Sequence, residues 1–255
     1  MGFLKAAFTA FSMYSILPVP RTRWDEDSMK YAMCFFPLIG VVNGALLFVW
    51  ASLAAAVPLG GFLFAAVACA LPVLVTGGIH MDGFCDTTDA LSSRQPREKK
   101  LEILKDPNAG AFAVIGCVLY FLVLFGLWTE LERSRSALLV LGGGFMLSRI
   151  GSGLSVVTLR PAKNSGLLAA FSNAADKRRV RTVLLCELLL CAAFLLWADA
   201  AAGGASLLVA LLVFACYYRV SYREFGGITG DLAGWFLQLC EAAILLSVVL
   251  AQKLF

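Results

Sequence analysis

Residues 59–91 read LGGFLFAAVACALPVLVTGGIHMDGFCDTTDAL. The first half is apolar almost without interruption. The second half, from Thr76, gathers three carboxylates, Asp82, Asp86 and Asp89, and the only histidine of the chain, His80. On a helix the spacings of four and three place these aspartates on one face. Carboxylates side by side repel one another at neutral pH unless a cation or a proton intervenes, and an all-carboxylate face selects a hard, oxygen-loving ion such as Mg²⁺. The plainer alternative is a solvated acidic helix start with Gly77, Gly78 and Gly83 as turn residues.

Working outward, composition defines the solvent. Hydrophobic residues make up 60% of the 255, charged residues 15%, and the mean hydropathy is +0.83. Those values lie outside the range of a soluble globular domain and predict an all-α, polytopic integral membrane protein. The eight cysteines form no CxxC pair and fall mostly in apolar runs, so they imply neither a disulfide framework nor a zinc site. No small-residue cleavage site ends the first apolar stretch, which runs on into Pro18 and Pro20, so no cleavable signal is expected.

About seven spans are expected, at residues 32–57, 59–76, 110–128, 137–157, 182–202, 205–218 and 232–252, the second and sixth short. Residues 3–17 form an additional short segment, read as an N-terminal interfacial or re-entrant helix. Pro37, Gly40 and Gly44 predict a kink and close packing in the first span, and Gly203 with Gly204 predicts the turn between the fifth and sixth. The whole chain, 1–255, reads as a single membrane-embedded catalytic domain.

Of the 21 Lys and Arg residues, only Arg133, Arg135 and Lys253 fall on one side of this arrangement and only Arg149 within a span. The positive-inside rule therefore places the other loops, including Arg21 and Arg23, in the cytoplasm. Every loop with an acidic or glycine-rich motif shares that side. Carboxylates that hold a divalent ion, with Lys or Arg to take the remaining charge, are what phosphoryl transfer from a diphosphate requires. The ion-holding candidates are Asp82, Asp86, Asp89, Asp106 and Asp231. The phosphate-facing candidates are Lys105, Arg149 and one or more of Arg94, Arg160 and Arg178, although most loop cations serve as membrane anchors.

An arginine inside a span is costly without an anion or a water-filled cavity, so Arg149 reads as functional by default. Its alternative is a structural pair with Glu187 or Glu241. Gly226, Gly227, Thr229 and Gly230 in GGITGD offer backbone amides to a phosphate, or form a tight loop in which Asp231 caps the last helix. His80 is a general base, a further ligand or a turn residue.

Together TGGIHMDGFCDTTDAL, LEILKDPNAGAF, FFPLIGVVNG, ILPVP and GGITGD resemble the cobalamin synthase family, the adenosylcobinamide-GDP ribazoletransferases, from about residue 15 to about 241. The resemblance implies a multi-pass enzyme of the bacterial inner membrane, dependent on Mg²⁺, with its active-site loops facing the cytoplasm. It would join adenosylcobinamide-GDP to α-ribazole or α-ribazole 5′-phosphate and release GMP, the last step of nucleotide loop assembly in vitamin B12 biosynthesis. The family motifs carry over onto His80, Asp82, Asp86 and Asp89, onto Lys105 and Asp106, and onto Thr229 and Asp231. Cys85, Thr87, Ala90, Pro107 and Asn108 depart from the family pattern and bear on turn geometry. Besides its substrates the expected partners are membrane lipids, with homo-oligomerisation open and nucleic acid not expected. A CDP-alcohol phosphotransferase would need an arginine that does not follow Asp82, a prenyltransferase a second aspartate cluster, and a transporter its polar groups at midplane.

Overall fold

The computed structural model describes residues 2–20, 25–57 and 59–254, so Arg21 and Arg23 lie outside the described residues. Its helices, in chain order, are α1 (Gly2–Tyr14), α2 (Glu26–Met29), α3 (Phe36–Ala56), α4 (Gly61–Thr76), α5 (Ile79–Ser92), α6 (Arg97–Ile103), α7 (Ala111–Glu130), α8 (Arg135–Thr158), α9 (Leu167–Ala174), α10 (Lys177–Ala198), α11 (Ala200–Val220) and α12 (Gly230–Leu254). A π-helical turn, Ser221–Phe225, extends α11. Among the described residues the only β-pairing is an isolated parallel bridge between Pro161 and Ile228. The all-α expectation holds.

Six helices, α3, α7, α8, α10, α11 with its π turn, and α12, are long and apolar enough to cross a membrane, and the bent pair α4–α5 brings the number to seven. This is a multi-pass membrane protein. The buried centre is α8, whose inward residues run from Ala137 to Val157, while α7 and α10 turn most of their leucines and valines outward. In a bilayer that outward surface is solvated by lipid, so packing specificity comes from close contact of small residues.

The α3–α8 crossing shows this. A Cβ placed on Gly44 would lie 2.7 Å from Gly142 Cα, and one on Gly40 would overlap the Phe145 carbonyl. The predicted close packing is present. The kink is not: Pro37 sits in the first turn of α3, where its missing N–H breaks no helical hydrogen bond. The Gly203–Gly204 turn also needs correcting. Both glycines lie within α11, and the turn falls at Asp199, whose carboxylate accepts from Ala201 N (3.1 Å) and Ala202 N (2.9 Å). Gly203 instead lets α11 lie against the Leu195 carbonyl of α10. Asp176 caps α10 in the same manner, so Lys177–Arg181 form the first turns of a helix and not a loop.

The feature that positions the site is the junction of α4 and α5. Gly77 (φ 64°) and Gly78 (φ 82°) adopt left-handed backbone that L side chains avoid, and the chain turns through 97°. The acidic stretch therefore forms a helix of its own laid across the first turns of α7 and α12. A Cβ on Gly83 would stand 2.8 Å from Asp231 Cα, one on Gly234 2.8 Å from the His80 carbonyl, and one on Gly116 2.7 Å from Thr88. The chain after α1 is pinned to the same end, where Ile16 N donates to Val75 O at 2.9 Å.

Candidate active site

At the α5 end of the bundle the elements enclose a cavity of about 330 Å³. His80 and Asp82 reach it from α5, Lys105 from the chain after α6, Lys163 from the α8–α9 loop, and Thr229, Gly230 and Asp231 from the start of α12. The α5–α12 crossing at Gly83 sets Asp82 beside Asp231. Only glycine allows that separation, because a side chain on Gly83 would press on the Asp231 backbone.

The loop before α12 is held by the loop after α8. Ala162 N donates to Ile228 O (2.8 Å), Ile228 N donates to Arg160 O (3.0 Å), and the Arg160 guanidinium donates to Gly226 O (3.2 Å). Gly227 is needed at this bridge, since a Cβ there would stand 2.5 Å from the Arg160 carbonyl, and Gly226 has φ 77°. Thr229, and not Asp231, caps α12: its Oγ1 accepts from Leu232 N at 3.2 Å. The four residues of the glycine loop thus divide. Thr229 and Gly230 line the cavity, and Gly226 and Gly227 build the bridge behind it.

The cations divide similarly. Lys105 and Lys163 stand together on the cavity wall, and Lys163 Nζ donates to Leu101 O at 2.8 Å. Burial, followed by the neighbouring Lys105 charge, holds the Lys163 ammonium below the usual lysine range. Arg149 is elsewhere. Its guanidinium, 1% exposed, donates to Glu241 Oε1 at 2.6 Å and to the Phe145 carbonyl at 2.8 Å, and Ser148 Oγ also meets Glu241 at 3.1 Å. Of the two partners considered for it, the structure supplies Glu241. Arg94, Arg160 and Arg178 do not line the cavity either.

Among the aspartates, Asp82 and Asp231 line the cavity and Asp86 follows one turn along α5, half-buried. Asp89 lies over the first turn of α7, its Oδ1 accepting from Ala113 N at 3.3 Å. Asp106 is exposed in the loop after α6, where hydrogen bonds from Asn108 N (2.9 Å) and Nδ2 (3.0 Å) hold its carboxyl below the usual range. Among the described residues, no three His, Cys, Asp or Glu side chains stand close enough to hold a metal ion. Of the five candidate aspartates, Asp82 and Asp231 border the cavity directly, and Asp86 lies within electrostatic reach of the other four.

Sequence reasoning missed Lys163, which carries no signal in a loop with several other basic residues. It also missed Tyr14, at the end of α1, and Phe171, in α9, both of which line the cavity. His80 is 5% exposed, and its Nε2 has no hydrogen-bond partner. Its ring lies 6.1 Å from that of Tyr14 and 5.8 Å from that of Phe36.

A multi-pass helical bundle that gathers two carboxylates, two lysines and an unpartnered imidazole at one end defines a membrane-embedded enzyme. The family model described as cobalamin-5-phosphate synthase matches residues 6–249, and the chain belongs to that family. A relative from Lachnoclostridium phytofermentans is 45% identical over 252 residues, covering 99% of this chain and 96% of the relative. One from Clostridium botulinum strain Alaska E43 is 32% identical over 98% of each chain, and one from Pseudomonas putida strain GB-1 is 36% identical over 86% of this chain and 87% of its own. Each of the three is named adenosylcobinamide-GDP ribazoletransferase. No solved structure matches the chain.

Proposed function

We propose that this chain catalyses the reaction its relatives are named for, joining adenosylcobinamide-GDP to α-ribazole or its 5′-phosphate with release of GMP. The observation that carries the reading is the meeting of Asp82, Asp231, Lys105 and Lys163 around one cavity. The α-ribazole 3′-hydroxyl attacks the cobinamide-side phosphorus of the diphosphate. The new phosphodiester forms as the bond to the GMP oxygen breaks, and the hydroxyl gives up its proton.

Lys105 and Lys163 neutralise the non-bridging oxygens, whose charge redistributes in the transition state. The first amides of α12, with Thr229 and Gly230 at its start, face the same anion from a helix N-terminus. His80, on the cavity wall, is the candidate base for the proton of the attacking hydroxyl.

The donor set fits Mg²⁺. Asp82 and Asp231 supply hard oxygens, and this ion is commonly held by one or two carboxylates together with substrate phosphates and water rather than by an all-protein cage. A pair of aspartates is therefore enough. When bound, the ion would supply Lewis-acid neutralisation of the diphosphate. The bias of basic residues toward the loops at this end supports a cytoplasmic orientation in a bacterial inner membrane.

The test is GMP release by the full-length protein in lipid nanodiscs, supplied with adenosylcobinamide-GDP, α-ribazole and Mg²⁺. Release that depends on all three and stops with EDTA is the expected result. No release from a folded, inserted protein overturns the reading.

A further inference from the structure

A second recess, of about 570 Å³, lies where α1, the start of α3 and the first turns of α10 meet. It shares no lining residue with the catalytic cavity. Its walls are open: Phe3 is 66% exposed, Val183 40% and Leu38 39%. Leu38 and Val183 belong to helices long and apolar enough to cross a membrane, so the recess is a groove in the lipid-facing surface and not a closed void.

The mouth of this groove is basic, and Tyr31 is its centre. Lys30 Nζ lies 5.7 Å from the centroid of the Tyr31 ring, Arg179 donates to the Tyr31 hydroxyl at 3.0 Å, and the Phe3 ring stacks on Tyr31 at 5.1 Å. Arg178 lines the groove beside Arg179. Asp176 stands 3.5 Å from Arg179 Nε and also caps α10, whereas Lys30 and Arg178 form no ion pair among the described residues. The mouth thus keeps a positive excess. The other carboxylate, Glu187, closes the deep end nine residues beyond Arg178. That is about 13 Å along the helix axis, too far to touch a group held at the rim.

We infer that the groove holds one phospholipid with an anionic headgroup, its phosphate at Lys30, Arg178 and Arg179 and an acyl chain laid along Phe35, Leu38 and Val183. The order of chemistry along the groove, cations at the rim and then apolar wall, is that of an amphiphile with a charged head and an apolar tail. Arginine forks suit phosphate oxygens, and clustered Lys and Arg at a membrane surface select anionic lipids. A zwitterionic lipid offers the same tail, but its own cation offsets the attraction. A free phosphate or nucleotide would satisfy the rim and leave Phe35, Leu38 and Val183 uncovered.

The site adjoins the catalytic end without being part of it. Cys34 lines the groove while its neighbour Met33 lines the cavity, and both belong to one buried cluster with Phe171, Val180 and Leu184. A lipid seated here braces α1 and α10 against the flank of that cluster. Arg178, phosphate-facing by sequence, then meets the phosphate of a lipid and not that of the substrate.

Full-length protein, delipidated in a neutral detergent, is titrated with fluorescent phosphatidylglycerol and separately with phosphatidylcholine of the same acyl chains. Wild-type protein is expected to bind phosphatidylglycerol at one site, on the order of tenfold more tightly than phosphatidylcholine. Lys30→Gln and Arg178→Gln should each lower phosphatidylglycerol affinity roughly fivefold and leave phosphatidylcholine binding unchanged, and Arg178→Lys should keep most of the affinity. Leu38→Trp, which fills the wall below the rim, should weaken both lipids. These side chains are exposed, so unfolding midpoints in lipid-free detergent should match that of wild type. Equal affinity for the two lipids overturns the proposal, as does unchanged phosphatidylglycerol binding in Arg178→Gln protein. Displacement by inorganic phosphate would make the rim a site for free anions, and a dimer that Leu38→Trp separates would give the groove to a second copy of the chain. Either result overturns the lipid assignment. So does loss of phosphatidylglycerol binding in Glu187→Gln protein, because the headgroup would then sit at the deep end.

Discussion

Two groups of charged side chains lie within or against the apolar bundle, and they are built differently. In the Arg149–Glu241 pair the ions meet at 2.6 Å, 1% and 8% exposed, with Ser148 and the Phe145 carbonyl as additional partners. At the α5 end, Asp82 and Asp231 stand beside each other, Lys105 stands beside Lys163, and all four border open space. The buried pair meets in a direct ion pair, whereas the carboxylates and ammoniums that border the cavity form none with one another among the described residues and leave their charges open to a ligand. Charge in the membrane is thus no index of function by itself. What distinguishes the two groups is whether their charges already meet in a direct pair.

The most drastic way to break this comparison is at Asp82. Asp82→Ala is expected to lower kcat for GMP release on the order of 10²–10³-fold, with membrane insertion and thermal unfolding unchanged. A near-normal rate would place Asp82 among the charges that serve only the fold.

The converse experiment is at Arg149. Arg149→Met strands Glu241 in an apolar interior and should cost about 3–5 kcal/mol of stability, read as a lowered thermal midpoint in detergent micelles. The double variant Arg149→Met/Glu241→Met should recover most of that loss and retain GMP release. An inactive but stable double variant would mean that the guanidinium acts in the chemistry.

A smaller effect sharpens the cavity side. Lys163→Met is expected to raise the KM for adenosylcobinamide-GDP roughly tenfold, with Lys163→Arg intermediate, because one of two neighbouring cations is lost and the other remains. Equal KM values for Lys163→Met and wild type would confine phosphate binding to Lys105.

The smallest expected change is at Asp89, the member of the acidic face that already has a partner. Asp89→Asn keeps an oxygen for the Ala113 N–H and should alter the rate by about twofold or less. A loss as large as that at Asp82 would make Asp89 an ion ligand and dissolve the distinction drawn here.

Much of the architecture was legible in the sequence because a bilayer imposes a simple length rule. Apolar runs near 20 residues mark the spans, and Gly40 and Gly44 foretold close helix packing, for which the structure supplies α8 as the partner. The errors share one cause. Glycine read as a breaker at 203–204 is, between lipid-facing helices, a point of contact, and a proline read as a kink at 37 is harmless in a first turn. The acidic motif announced the site, but periodicity could not show that Gly77 and Gly78 would turn α5 through 97° and carry Asp89 onto α7. Nor could it separate Lys163 from the other loop cations, since that distinction depends on the bridge between Pro161 and Ile228.

The modest capacity of the cavity has a consequence for how so bulky a donor is handled. On the proposed reaction, a space of about 330 Å³ would admit the diphosphate linkage while the tetrapyrrole stayed outside the mouth. The protein would then grip its larger substrate by the tail alone, leaving the macrocycle to rest at the membrane surface or in the grasp of whatever delivers it. Discrimination among corrinoids would accordingly be weak at this step.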